Sequence, residues 1–502
     1  MTELNGTDET HDLGLGITIT APGIVGTVHV RPDLLQVDVD STLALTEDEE
    51  INRTIGPIFP SRTVLDAHVW RGIDGLASDG LASDEFATLT AVSPPSGAGV
   101  IMVADLDPDG IVTFHAADRY KADRSLLADD SVEGDRLTFT IPSSRLVDPP
   151  KDGELTDLAM PAQVKKIITF LFHDVAEMAV REAAEWLADR WEDKHRPYEL
   201  KRLDVGEPGK STWAEFPVSR WPELQDKKVL LLFHGIFSTV ESAFGGLDGL
   251  VAEEGTSKTP YQLLAERYDH IIGWNHPSVS VDPLENAIRF SEHVGTDVVP
   301  TVDVLVHSRG GLVARLVAGE QTAKVAAAVK ARKIVFAGTP NAGTVLVEPD
   351  NLEHLINRFV NLLRWIPPGP WSAAKLDVEG FLHLVKFVGM NIEEGLPGLV
   401  YMSEKNMKIH NEDCTVIGGR HAIGANFKPK KKAKRLLDTP EDRLVFAKVD
   451  NDVAVPTALV NVGDETPVMI GPRDIWHGTY FMDPEVRAQL LEWLQPTALA
   501  KE

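Results

Sequence analysis

The sequence predicts an α/β unit with a mostly parallel sheet and helices on both faces, preceded by a smaller all-β unit and a long connecting helix. Three observations point there. In the second half, VLLLF, HIIGW, TVDVLV, KIVFAG, CTVIGG and PVMIG are apolar throughout and separated by helical patterns, as strands covered on both faces should be. In the first half, GITIT, GTVHV, LLQVDVD, FATLTAV, VIMVADL, IVTFHA and RLTFTI are short and β-branched, several with period two. The third is VHSRGG, Val306 to Gly311, which joins the strand TVDVLV directly to the helical run LVARLVAGE.

The chain has 502 residues, room for two domains with a sizeable core. With 43% hydrophobic and 25% charged residues it has the composition of a globular protein. Its formal charge of −27 repels phosphate backbones and anionic lipid, which argues against a nucleic-acid partner. KPKKKAKR, Lys428 to Arg435, is a local exception that reads as a solvated loop or as a contact for an anionic surface. One cysteine, Cys414, leaves no intrachain disulfide framework and fits a reducing compartment. The start, MTELNGTDETHDLG, lacks the features of a secretory signal, and no window holds ~18 uninterrupted apolar residues. A cytoplasmic protein with no integral membrane segment is expected.

Residues 1–150 form the expected β-rich domain, with VIMVADL and IVTFHA paired as a hairpin across DPDG. GLASDGLASD, Gly75 to Asp84, is a tandem pentapeptide too short for a solenoid and reads as a surface loop. This domain resembles no family, and a protein partner is its conceivable role. VDPPKDGELTD marks a boundary, and residues 151–196 are expected to be a linker and an amphipathic helix. Val164, Ile167, Ile168, Leu171, Val175, Met178 and Trp186 recur mostly at helical spacing between about 161 and 193. Residues 197–502 make the α/β domain.

One motif is a decoy. VGEPGKST, Val205 to Thr212, has two residues between its glycines where a phosphate-binding loop needs four, and no apolar strand leads into it. The turn at Ser308 is more telling. A serine at a sharp strand-to-helix turn is held in a strained conformation with its hydroxyl above the sheet edge, and small residues two positions away keep strand and helix apart. Gly310 meets that need and Val306 does not. VLLLFHGIFS places His234 and Gly235 at the end of an apolar strand, where a following backbone amide joins the amide after the nucleophile to bind an oxyanion. Those donors are Ile236 and Arg309. A carboxylate and a histidine should follow the serine in that order. KVDNDVAVP offers Asp450 and Asp452, and PVMIGPRDIWHGTYF offers His477 after the last strand. DPEVRAQLLEWL, with Asp483 as N-cap and Pro484 at the first helical position, reads as a closing helix.

Five stretches together resemble the α/β-hydrolase superfamily, in its bacterial lipase- and esterase-like branch with an HSRGG elbow. They are LLFHGIFST, GWNHPSVSVDPLENA, LVHSRGGLVAR, FAGTPNAGT, and DNDVAVPT with the later WHGTYF, spanning about Val229 to Phe481. That branch tolerates a residue other than glycine two places before the serine. The resemblance implies an α/β-hydrolase fold and favours Asp452 over Asp450, because the family acid precedes a short apolar run ending in proline. It implies a serine carboxylic-ester hydrolase acting on a small-molecule or lipid acyl ester, with catalytic Ser308, Asp452 and His477 and with neither metal nor cofactor. The alternatives are a non-catalytic scaffold with this fold and an amidase or peptidase using the same three residues. A helical cap is expected at about 350–390, where Leu352, Leu355, Ile356, Phe359 and Leu363 share one helical face before a PPGP break. His234, Phe237, Phe359 and Trp365 are the expected lining of the substrate pocket.

Overall fold

The computed structural model describes residues 1–30, 61–71, 86–92, 97–105, 112–117, 136–142, 164–174, 192, 196–249, 258–319, 324–347, 351, 357, 397–413, 419–428, 449–461 and 466–495. The first ten strands are β1 (Thr2–Asn5), β2 (Thr10–Gly14), β3 (Ile17–Thr20), β4 (Ile24–Val30), β5 (Ser61–Arg71), β6 (Phe86–Val92), β7 (Gly97–Asp105), β8 (Val112–Ala116), β9 (Arg136–Pro142) and β10 (Val164–Asp174). They form two antiparallel sheets ordered β1-β4-β5-β10-β7-β8 and β2-β3-β6-β9. Ile19, Leu89, Leu137 and Phe139 of the smaller sheet share one apolar core with Val28, Leu65, Ile168 and Phe170 of the larger. Alternation in β3, β4 and β9 sends one side chain in two into that core. The expected hairpin is present as the antiparallel pair β7 and β8.

The connecting helix expected from 161 to 193 is corrected over its first part. Val164–Asp174 is a strand paired on both sides, with β5 and with β7, so it belongs to the β-rich unit and carries that unit past residue 150. Ile168 and Phe170 point into the core two residues apart, and Phe170 meets Phe139 edge to face at 5.7 Å. KKIITFLF is rich in β-branched and aromatic residues, and a short apolar run of this kind satisfies both a strand and a helix period. Of residues 175–195, Glu192 alone is described, and its carbonyl accepts the Arg196 amide. GLASDGLASD, Pro429 to Arg435 and Cys414 lie outside the described residues.

The second unit has the α/β-hydrolase fold. Its strands are β11 (Glu199–Asp204), β12 (Thr212–Glu215), β13 (Val229–Phe233), β14 (His270–Asn275), β15 (Thr301–His307), β16 (Lys330–Ala337), β17 (Gly419–Phe427) and β18 (Val468–Arg473). Their order is β12-β11-β14-β13-β15-β16-β17-β18, parallel from β14 to β18 and antiparallel at the β11 and β12 edge. The decoy near Gly206 falls in the turn between β11 and β12. The described helices are α1 (Val240–Phe244), α2 (Pro260–Ala265), α3 (Pro283–Val294), α4 (Gly310–Ala314), α5 (Pro397–Val400), α6 (Glu404–Asp413) and α7 (Pro484–Trp493). Asp282 and Asp483 cap α3 and α7, each with proline in the first turn.

The apolar runs are explained by two cores, one on each face of the sheet. Val229, Leu231 and Phe233 of β13, with Val302, Val304 and Val306 of β15, join Trp274, Phe290 and Val313 on one face. Leu230, Leu232 and Leu305 join Phe244, Ile423, Tyr480 and Leu490 on the other. Within β15, Asp303 is a fully buried charge beside Leu305. Arg332 pairs with it at 2.9 Å and the Tyr268 hydroxyl donates to it at 2.7 Å, as a buried charge requires. Among the described residues no helix is long and apolar enough to cross a membrane.

Replacing Phe170 with Ala removes a fully buried ring from the centre of the β-rich core. The change is expected to cost about 3–5 kcal/mol, read as a lower midpoint in urea unfolding.

Candidate active site

Ser308 follows β15 immediately and precedes α4. Its φ is +53°, a left-handed conformation that side chains other than glycine rarely adopt, and such strain concentrates at functional turns. Two glycines make the turn possible. A Cβ on Gly310 would stand 2.3 Å from the His234 carbonyl oxygen and 2.4 Å from that of Phe233, so the helix can lie on the end of β13 only without one. A Cβ on Gly235 would stand 2.7 Å from the Ser308 Cβ. Val306 causes no collision, because its side chain points into the core with Phe233, Phe336 and Val313.

Ser308, Asp452 and His477 converge at the carboxyl ends of the parallel strands, after β15, between β17 and β18, and after β18. Nε2 of His477 lies 2.6 Å from Ser308 Oγ, and Nδ1 lies 2.8 Å from Asp452 Oδ2. All three side chains are buried. The bonds to a hydroxyl oxygen and a carboxylate are those of an imidazole that carries its proton on Nδ1 and accepts the serine proton on Nε2. Asp450 is exposed and its backbone carbonyl, bonded by Thr457, is its described contact, so of the two carboxylates it is Asp452 that faces the histidine.

A tight turn holds Asp452. The Ala454 and Val455 amides donate to Oδ1 at 3.0 and 2.7 Å, and the Tyr480 hydroxyl donates to Oδ2 at 2.8 Å. Val453 within that turn has φ +83°, a strained value for a β-branched residue. Burial pushes the carboxyl pKa upward. The neighbouring His477, the Val455 amide and the Tyr480 hydroxyl outweigh it and hold the group below its usual range, ionised. Burial and the Asp452 charge push the Tyr480 phenol well above its ordinary value, so it remains a donor.

The Ile236 and Arg309 amides flank the turn, and neither has an acceptor among the described residues. His234, expected in the substrate pocket, is instead wholly buried with both ring nitrogens used by the backbone. Nδ1 donates to the Gly235 carbonyl at 2.8 Å and Nε2 accepts the His276 amide at 3.1 Å. The Ser238 hydroxyl also donates to the Gly235 carbonyl, at 3.0 Å. The Gly235 oxygen and the Ile236 N–H belong to one planar peptide and point in opposite directions, so fixing the first aims the second. Phe237 is buried with φ +57°. Phe359 and Trp365, with most of the expected cap, lie outside the described residues.

The sequence did not single out His307, Tyr480, Ser278, Glu192 or Arg196. His307 Nε2 donates to the His477 carbonyl at 2.8 Å and so fixes the backbone of the histidine. Its adjacency to Ser308 was the available signal, as was the three-residue spacing of Tyr480 from His477. The Arg309 guanidinium is fully buried. Burial pulls its pKa down to about 10 against the opposing charges of Glu192 and Asp282, and it donates to the Val281 and Gly398 carbonyls. Among the described residues no group of three or more metal-ligating side chains occurs.

Three imidazoles beside the site are kept neutral. Burial pushes His234 and His307 down to about 3 from the usual 6.5, and pushes His276 well below it. Between about pH 6.5 and 3 the unfolded chain therefore binds protons that the folded chain excludes, so stability is full above pH 6.5 and falls as the pH is lowered. His234 and His307 each add about 1.4 kcal/mol per pH unit within that window. Urea midpoints measured from about pH 7 to 4 are expected to fall steadily, and His307→Gln, which keeps a donor at the place of Nε2, is expected to reduce the slope by about one proton's worth.

No curated protein matches the chain by sequence. Among solved structures it is similar to the mature lipase BlEst2 of Bacillus licheniformis, at 13% identity and a TM-score of 0.31, over 54% of this chain and 93% of that one. It is similar to lipase 1 of Pelosinus fermentans at 12% identity and a TM-score of 0.35, over 54% and 99%. EstA of Clostridium botulinum is 11% identical with a TM-score of 0.34, over 63% and 98%. Residues 195–495, more than half of the chain and all of its α/β sheet, match a family described as a domain of unknown function, DUF7379. The chain belongs to that family.

Proposed function

We propose that the protein is a serine hydrolase that cleaves a carboxylic ester through an acyl-enzyme intermediate. The observation that carries this reading is the hydrogen-bonded chain from Ser308 to His477 at 2.6 Å and from His477 to Asp452 at 2.8 Å, with the serine at φ +53°. A free serine hydroxyl is a weak nucleophile near neutral pH, so a base must remove its proton as it attacks. His477 Nε2 takes that proton, and Asp452 holds the imidazole in the required tautomer and stabilises its cation.

Attack puts a negative charge on the former carbonyl oxygen. The amides of Ile236 and Arg309 receive it, each such donor being worth about 3–4 kcal/mol in the transition state. His477 then returns the proton to the departing alkoxide. Water, deprotonated in turn by His477, releases the acid and restores Ser308. The same residues would open an amide, and the ester preference rests on the likeness of the elbow and its companion stretches to lipases and esterases. A lipid or small-molecule acyl ester is the proposed substrate class.

A fluorophosphonate probe is expected to label Ser308 and no other serine, located by peptide mapping. Ser308→Ala and His477→Ala are each expected to lower ester turnover by about 10⁶-fold, and Asp452→Asn by about 10⁴-fold through the wrong tautomer. Asp450→Asn is expected to leave the rate within a few-fold of the wild type. Unchanged turnover in Ser308→Ala, or a larger loss at Asp450 than at Asp452, would refute the assignment. Paired ester and amide substrates with a common acyl group measure the preference directly.

A further inference from the structure

The Glu192 side chain is buried at 1% exposure, three residues before the start of the family match. Its carboxylate is received by the loop after β14. Oε1 accepts the amides of Ser278 at 2.5 Å and Val279 at 3.0 Å, and Oε2 accepts the amide and the hydroxyl of Ser280, each at 2.7 Å. The Ser278 hydroxyl donates to Oε1 at 3.2 Å and accepts the Phe237 amide at 2.9 Å. One turn after Glu192, the Arg196 guanidinium donates to the Phe237 carbonyl at 3.0 Å.

Both peptide groups of Phe237 are thus held from the connecting segment. Phe237 keeps a left-handed conformation and directly follows Ile236, whose N–H is a proposed oxyanion donor. The loop at 276–281 reaches the other donor as well, since the Arg309 side chain donates to the Val281 carbonyl, and the His276 amide donates to His234. A carboxylate gathering several amide donors is a strong, charge-assisted anchor for a loop.

We infer that Glu192 and Arg196 are positioning residues for ester cleavage, which set the oxyanion-binding peptide at Ile236 through Ser278 and Phe237. The inference rests on the serine-hydrolase reading above. The connecting segment is then part of the catalytic apparatus. A misaimed amide weakens binding of the transition state more than binding of the ground state, so kcat should fall while KM holds.

The test uses the full chain and four variants, Glu192→Gln, Glu192→Asp, Ser278→Ala and Arg196→Lys. For each, ester kcat and KM, the rate of fluorophosphonate labelling at Ser308 and the melting temperature are measured. Loss of one oxyanion donor costs about 10²- to 10³-fold in kcat, so a displaced one is expected to cost about 10- to 100-fold in Glu192→Gln and Ser278→Ala. KM should stay within about three-fold, and Glu192→Asp should recover part of the loss. Arg196→Lys should show a smaller loss of the same kind. If the wild type labels at Ser308 and the variants label and turn over at its rate, the positioning role is overturned and the hydrolase reading stands. A wild type that neither labels nor cleaves esters overturns both. Should Glu192→Gln not fold, Ser278→Ala and Arg196→Lys decide the matter alone.

Discussion

The steric contact between the end of β13 and the turn after β15 is the constraint on which the site depends. Gly235 lies against the Cβ of Ser308, and Gly310 lies against the carbonyls of Phe233 and His234. A methyl group at either place would force apart two strands that are paired in register up to Phe233 and Val306. That contact puts the serine and the Ile236 amide on the same sheet edge, while His234 and Ser238 fix the rotation of the intervening peptide.

Charge around the site is arranged so that three of its imidazoles stay neutral beside His477. His234, His276 and His307 are buried and neutral, and each has at least one ring nitrogen hydrogen-bonded to a backbone group. A protonated imidazole at the His307 position would lie 5.0 Å from His477, centre to centre, and on the serine-hydrolase reading would oppose the positive charge that His477 takes up in the reaction. Asp452, held ionised by His477, a backbone amide and the Tyr480 phenol, supplies the compensating charge.

Much of this was legible in the sequence where local pattern and chemistry coincide. Most of the parallel strands were readable because two-sided burial leaves unbroken apolar runs such as VLLLF, and the turn because a serine between a strand and a helix has few other uses. Of the expected CTVIGG only Gly419 lies within the described residues, and β17 starts there and runs on through GRHAIGANF. Val306 was a misleading sign. Its position alternates into the core while Gly310 relieves the contact that matters. The strand at Val164–Asp174 was misread because its partners, β5 and β7, are distant in sequence and no local signal distinguishes its period. Glu192 was illegible for a similar reason. Its partners at 278–280 lie 86 to 88 residues away, and nothing about a lone glutamate near the end of a connecting segment announces them.

The order of Ser308 and His477 along the chain bears on biosynthesis. His477 follows Ser308 by 169 residues. The segment that carries it is fastened late, where Arg487 donates to the Phe481 and Gly246 carbonyls and Arg267 to that of Leu491. At about 5–20 residues per second, Ser308 is translated on the order of ten to thirty seconds before His477. On the serine-hydrolase reading, the nascent chain during that interval holds its nucleophile with no means of activation. On the serine-hydrolase reading, premature release anywhere in that interval yields a chain that lacks its base and cannot attack acyl groups.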